Sequence, residues 1–402
     1  MKSDDHKLKP PALLFGGGLT LLSVVRALGR RGIPVYCAEV QPPPNCWSRW
    51  YRIAQSNTGD PTPRNLTAYL RSLPFEQAVL FPCSDHWLAA IVAGLEENPD
   101  LQNRFPTSLP GRKTVATFTD KAHFANLLQE LALPHPRTLI IDDENALTEV
   151  DATFFSHAFL KPADSQRFGE IFHCKAFTVN SVDEALSRYR QAKEAGLSLL
   201  LQERIPGPPT HHYFIDGFVD RHGTLAALFA RQRLRMYPPD FGNSSYLVTV
   251  SLETVQQGIR SLEKLLSFVQ YRGIFSAEFK FDARDGQFKL LEVNARPWWY
   301  LGFAADCGID VASLAYRDAL GLDVGQQKSY PVGVHFVYAE YDAPACSPAI
   351  SPPGLSDWQR YRQWLKARQA VFAWDDLSPS LHQWKDRLVE KAKRIFRKPR
   401  VR

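Results

Sequence analysis

The stretch Phe275-Ser-Ala-Glu-Phe-Lys-Phe-Asp282, a turn, and then Phe288-Lys-Leu-Leu-Glu-Val-Asn-Ala-Arg296 decides how the chain is read. Both halves have the apolar and polar spacing of β-strands, and the glycine-containing turn between them predicts an antiparallel hairpin. Side chains two apart share a face, so Glu292 and Asn294 point the same way, and the hairpin carries a second carboxylate, Glu278, to the same end. Oxygen ligands gathered in this way suit magnesium, which is held by a few carboxylates together with nucleotide phosphates. Parity decides whether the two carboxylates meet. A two-residue turn at Asp285-Gly286 would set Glu278 opposite Val293 and turn Glu292 to the other face of the sheet. A three-residue loop, Arg284-Asp285-Gly286, with Gly286 in the left-handed bulge conformation, sets Glu278 opposite Glu292 and is the predicted form. The plainer alternative is an amphipathic hairpin with a charged outer face.

Upstream, the apolar run Ala12–Phe15 leads into Gly16, Gly17 and Gly18. A helical pattern follows in which Leu22, Val25 and Leu28 share a face, and a second strand is predicted over 35–38. This is a parallel α/β unit; its glycines let the backbone approach an anion at a helix N-terminus, or simply allow a tight turn. A second unit has a strand over 78–81 and a helix over 85–95. From about Asp120 the pattern becomes strands (138–141, 158–161, 199–202) among helices (122–131, 182–195, 252–266, 310–320). Residues 343–354, rich in Pro and Ser, read as a linker.

With 402 residues and 45.5 kDa, two or three packed units are expected. No apolar run reaches the roughly 18 to 20 residues of a membrane span, and the polar start is unlike a signal peptide, so a cytoplasmic protein is the simplest reading. Six scattered cysteines lack zinc or dithiol spacing and read as reduced. The net charge of +6 resides in the tail, where 385–402 holds nine Lys or Arg against Asp386 and Glu390, and the body is close to neutral. Nucleic-acid binding would rest on that tail alone and is not expected. Leu381, Trp384, Leu388, Ala392, Ile395 and Phe396 recur there at helical spacing, with Lys385, Lys391, Lys393, Arg394 and Arg397 on the remaining faces. Such a helix docks on the enzyme's own body or lies against an anionic membrane surface.

The Glu278 and Glu292-x-Asn294 pair resembles the hallmark of the ATP-grasp superfamily, and supporting motifs stand in family order. Asp120-Lys121 with Leu133-Pro-His-Pro136 resembles the start of the ATP-grasp region. Phe159-Leu-Lys-Pro162 resembles its second phosphate lysine, and Leu201-Gln-Glu-Arg-Ile-Pro-Gly207 its adenine hinge. Gly16 to Val35, Ser48-Arg49-Trp50 and Leu80-Phe-Pro-Cys-Ser-Asp85 are similar to the preceding α/β domain of D-aspartate ligase-like members. The resemblance covers roughly residues 12 to 325. It implies an α/β fold: an N-terminal Rossmann-like pre-ATP-grasp domain (1–115), a two-subdomain ATP-grasp fold (116–330) and a C-terminal extension with a helical tail (331–402).

It also implies that Lys121 and Lys161 bind ATP phosphates, that Glu203 and Ile205 hold adenine, and that His211 or His212 meets the ribose. Glu278, Glu292 and Asn294 would hold magnesium or manganese. Arg296, with Arg231 or Arg233, would neutralise the γ-phosphate and the acyl phosphate. The segment Ala163 to Gly169 corresponds to the loop that closes over phosphate, although it has one glycine where relatives often have several. The implied activity is ADP-forming ligation of a small-molecule carboxylate to an amine, and a homodimer is compatible with it. The rival readings are an ATP-dependent carboxylase acting through carboxyphosphate, a non-catalytic ATP-binding subunit and a dehydrogenase. The last is the weakest, because the N-terminal glycines lack full G-x-G-x-x-G spacing.

Overall fold

The computed structural model describes residues 9–40, 47–163, 165–350 and 354–396. Its first sheet is parallel and three-stranded, with strands β1 (Ala12–Phe15), β2 (Val35–Cys37) and β3 (Val79–Pro82) in the order β2-β1-β3. Every side chain of β1 is buried, as a strand covered on both faces requires. The helices Gly18–Arg30 and Asp85–Glu97 start at the carboxyl ends of β1 and β3. Gly16 lies between, at φ +103°, where a Cβ would meet Cys83 and Ser84 at 3.4 Å. The glycine turn thus packs the two strand ends together.

A second sheet comprises β4 (Thr138–Ile140), β5 (Ala158–Pro162), β6 (Phe177–Val179) and β7 (Leu199–Glu203), ordered β4-β7-β5-β6 with antiparallel pairs. Its own core includes Leu147, Phe155, Leu160 and Leu201, closed by the helix Val182–Glu194. Ser181 caps that helix by accepting from the Glu184 N–H. The expected phosphate loop after Lys161 differs: residues Ser165–Phe172 form a helix, anchored by Phe168 buried against Phe172 and Phe177. Asp164 lies outside the described residues.

The third sheet has seven strands, β8 (His212–Val219), β9 (Leu225–Tyr237), β10 (Asn243–Thr249), β11 (Gly273–Asp282), β12 (Gln287–Asn294), β13 (His335–Val337) and β14 (Arg368–Gln369), ordered β12-β11-β8-β9-β10-β13-β14. The helix Gln256–Phe268 covers one face with Ile259, Leu262, Leu265 and Leu266. Trp298 and Tyr300 belong to the core between the first and third sheets.

The chain after residue 331 is tied into this body. Two of its strands extend the sheet, and a helix, Ala339–Ala345, occupies the start of the expected linker. Asp342, fully buried, receives Arg235 at 2.7 and 2.8 Å, the Ser245 hydroxyl and the Trp364 indole N–H. Asp376 receives Arg26 and Ser48 from the N-terminal unit. In the helix Ser378–Phe396, His382 stacks on Trp47 while Leu381, Trp384 and Leu388 are 63%, 67% and 68% exposed, so this part of the apolar stripe is not docked on the body. The side chains of Lys391, Ala392, Lys393, Arg394, Ile395, Phe396 and Arg397 lie outside the described set. Among the described residues no helix is long and apolar enough to cross a membrane. The five described cysteines are free thiols.

Candidate active site

Glu278 on β11 does stand opposite Glu292 on β12, but the predicted loop is not the reason. Asp282 pairs with Gln287, leaving a four-residue turn over 283–286 in which Gly286, at φ +70°, donates its N–H to the Asp282 carbonyl. That register continues to Phe279 opposite Leu290, where it would face Glu278 with Leu291. A bulge beyond Phe279 absorbs Leu291 and restores Glu278 opposite Glu292. The extra residue lies in the strand rather than in the turn.

Glu278 is set by its neighbours. His212 Nδ1 lies 2.8 Å and Arg233 Nη2 3.1 Å from the same oxygen, Oε1. Burial alone would raise its pKa, but the Arg233 charge and the His212 hydrogen bond outweigh that and hold it down to about 2. It is therefore ionised, as a metal ligand must be. Asn294 donates to Glu292 Oε1 at 3.3 Å, and its own oxygen accepts from Arg296 at 3.1 Å. Among the described residues no three His, Cys, Asp or Glu converge on a metal-sized point. Two carboxylates and an amide fit a magnesium ion that takes its remaining ligands from phosphate and water.

Two adjoining cavities of about 640 and 670 Å³ share Lys121, Lys161, Leu291 and Glu292 on their common wall. Asp120 fixes Lys121 by capping the helix Lys121–Glu130, accepting from the Ala122 and His123 N–H groups at 2.9 Å. Lys121 Nζ donates to the carbonyls of Pro162 and Ala163, beside Lys161 on β5. The larger cavity runs to the hinge, past Glu203, Ile205, His212, Arg233, Glu278 and Lys280. The smaller runs to Ser84, Asp85 and His86 of the first sheet's unit.

Several of the expected site side chains are engaged within the protein. Glu203 Oε1 accepts from Arg284 and Oε2 from the Arg137 N–H, so its carboxylate is engaged within the protein. The two histidines diverge. The His211 ring packs over Gly207 and against Phe281, with Nδ1 buried and lacking a hydrogen-bond partner, whereas His212 reaches Glu278 instead of standing free for a ribose. Arg231 lines neither cavity. It is buried in an ion pair with Asp216 (Nε to Oδ2, 2.7 Å), its guanidinium 3.9 Å from the Phe214 ring centre and 4.6 Å from that of Tyr300. Arg231, Arg233 and Arg235 share one face of β9, and each meets its own carboxylate: Asp216, Glu278 and Asp342. Arg296 forms a bidentate pair with Asp85, both contacts at 2.8 Å.

Sequence reasoning passed over Lys175, which lines the larger cavity and donates to Asn243 at 3.2 Å. Burial lowers its affinity for a proton while Glu292 and Glu278 raise it, so it is a further amine facing the carboxylate pair. It stands alone in a connecting segment, without periodicity to mark it.

No protein-family model matches the chain. It is 25% identical over 207 residues to the D-aspartate ligase of Enterococcus faecium, an alignment covering 50% of this chain and 49% of that protein, so the chain matches about half the relative's length. Among solved structures, the biotin carboxylase domain of the Hydrogenobacter thermophilus 2-oxoglutarate carboxylase, in complex with MgADP, ADP and bicarbonate, superposes with a TM-score of 0.61. The identity is 16%, over 82% of this chain and 74% of that one. The L-amino acid ligase of Bacillus licheniformis gives 0.57 at 15% identity, over 78% and 75%.

The chain has the ATP-grasp fold.

In ATP-grasp terms the second and third sheets form the two jaws around the larger cavity, with β5 and β7 supplying one and β8 to β12 the other. The parallel first sheet closes the far end, with the carboxyl ends of its strands toward the smaller cavity.

Proposed function

We propose that the chain is an ATP-dependent ligase that joins a carboxylate to an amine through an acyl phosphate, releasing ADP and phosphate. The observation that carries this reading is the shared wall of the two cavities, where Lys121 and Lys161 meet Glu292 with Glu278 behind it. One cavity has the size and hinge for a nucleotide, and the other leads from the phosphate end to a different part of the chain. The matches to the D-aspartate ligase and to a domain holding MgADP support it. Residues 1–115, 116–330 and 331–402 then serve as substrate-facing, nucleotide-binding and bracing segments.

In this mechanism the lysines neutralise the triphosphate, while Glu278, Glu292 and Asn294 would hold magnesium (or manganese), which would supply positive charge against that developing on phosphate. A substrate carboxylate oxygen attacks the γ-phosphorus and ADP departs. The amine then attacks the acyl carbon, loses a proton and expels phosphate. Arg233 keeps Glu278 ionised, and Arg296 stands at the end of the metal strand nearest the acceptor side. Little covalent work falls to the protein, so positioning and electrostatics carry the rate.

The substrates are a small carboxylate and an amine. The exposed stripe Leu381, Trp384, Leu388, with the basic sequence around it, supports peripheral contact with an anionic inner membrane face by a cytoplasmic protein, and a homodimer is compatible with this arrangement. Sedimentation with anionic vesicles, using the full chain and a truncation after Ser380, tests the contact: both staying in solution at low salt would reject it. For the activity, carboxylate and amine pairs are screened for coupled ADP and phosphate release. Release that needs both partners supports ligation; release that needs only bicarbonate would indicate a carboxylase, and none with any pair would indicate a non-catalytic subunit.

A further inference from the structure

The link between Asp85 and Arg296 joins parts of the chain 211 residues apart, and it ends in the metal strand. Asp85 opens the helix Asp85–Glu97 at the carboxyl end of β3. Arg296 lies two residues beyond the end of β12, which carries Glu292 and Asn294. Each guanidinium nitrogen is engaged: Nε and Nη2 on the two Asp85 oxygens, Nη2 also on Asn294 Oδ1 at 3.1 Å, and Nη1 on the Pro297 carbonyl at 3.1 Å. Asn294 in turn donates to Glu292 Oε1 at 3.3 Å. A continuous hydrogen-bonded chain therefore runs Asp85, Arg296, Asn294, Glu292, from the first sheet's unit into the carboxylate pair.

The Asp85 end does not need this pair for the fold. An aspartate in a first helical turn is already stabilised by the helix N-terminus. The same unit is held to the rest of the chain by Arg31 with Asp310, by Ser108 with Asp318, by Arg26 with Asp376 and by a shared apolar core. The bidentate fork fixes something else. It removes the freedom of a long side chain and sets the plane of a guanidinium whose third contact orients a metal-ligand amide.

Resting on the ligase reading above, we infer that Asp85 is a positioning residue: it holds Arg296, and through Arg296 it holds Asn294, in the orientation the metal–phosphate site uses. The first sheet's unit thereby shapes a site whose ligands all lie on the third sheet. A lost carboxylate at a fork of this kind leaves a gap of the size and charge that a small free carboxylate fills.

The test uses the full chain and manganese with ADP as the probe. Manganese affinity in the presence of ADP is followed by electron paramagnetic resonance, and ADP affinity without metal by calorimetry, for the wild type, Asp85→Ala, Asp85→Asn and Arg296→Ala. Asp85→Ala should weaken manganese by about 10-fold, the lower end of the range for a partner that supports a metal ligand, and leave metal-free ADP affinity and the melting temperature near those of the wild type. Sodium formate should restore much of the loss in Asp85→Ala and none of it in Arg296→Ala, a response that a merely structural contact does not give. Unchanged manganese affinity in Asp85→Ala, or a loss indifferent to formate, overturns the positioning role while leaving the ligase reading intact. If the wild type itself binds no manganese with ADP, the metal site and this inference fall together.

Discussion

Replacing Arg231 by methionine separates a core arginine from a catalytic one. Its charge is fully buried, and its partner Asp216 is 0% exposed, with the Ser276 hydroxyl as a further donor at 2.6 Å. Removing one member of a buried pair strands the other charge and typically costs about 3–5 kcal/mol. The Ser276 bond survives and methionine fills much of the volume between Phe214 and Tyr300, so about 3 kcal/mol is expected, read as a fall in the urea midpoint at pH 7. Burial already raises the Asp216 pKa above its ordinary value, against the lowering by Arg231. Without Arg231 it rises further. A carboxyl whose folded value is raised is favoured below its unfolded value and loses that advantage as pH climbs through the folded one, so the variant's deficit should shrink from pH 7 toward pH 5. The double variant Arg231→Met, Asp216→Leu should recover to within about 1 kcal/mol of the wild type, because no charge is left unpaired. A single variant within about 1 kcal/mol of wild type, or a double variant as unstable as the single one, would refute this account of Arg231. A stable Arg231→Met that no longer binds MgADP would return the residue to the active site.

Other outcomes follow from the same geometry. Lys161→Ala should weaken ATP by about tenfold and adenosine hardly at all, because only ATP presents the charge that a lysine neutralises; equal losses by calorimetry would make Lys161 structural. Lys175→Ala should weaken MgATP by a few-fold while leaving the urea midpoint within about 0.5 kcal/mol of wild type, as for other changes outside the core. No change in MgATP affinity would remove Lys175 from the site. Gly207→Ala should destabilise the hinge, since φ is +116° and a Cβ would come within 2.3 Å of the His211 ring, and an unaltered melting temperature would contradict that packing.

The hairpin shows what was legible. The carboxylate pairing followed from an expected three-residue turn that the chain does not form, while the signal for its actual cause also stands in the sequence: the apolar phase set by Phe288 and Leu290 slips by one residue before Val293 and Ala295, which marks a bulge at Leu291. Strands β8 to β10 gave little alternation because much of their length is buried on both faces, with Arg231 and Arg233 inside. The spacing of Arg231, Arg233 and Arg235 announced one shared face, but their partners Asp216, Glu278 and Asp342 arrive from three separate segments, and no local pattern distributes them. For the same reason Asp85 read as a helix start, and its pairing with Arg296 emerged only from the packed chain. The helix Ser165–Phe172 was hidden by the resemblance itself, which led to the expectation of a loop, whereas Phe168 has an aromatic core to fill.

The proposed function rests on Glu278 and Glu292 forming a metal–phosphate site. Its most direct test is ADP release by Glu292→Gln with a productive carboxylate and amine pair at saturating magnesium. An unchanged melting temperature is expected, with a turnover lower by about 100-fold or more, the scale of losing one electrostatic stabiliser. Turnover near that of the wild type would contradict it.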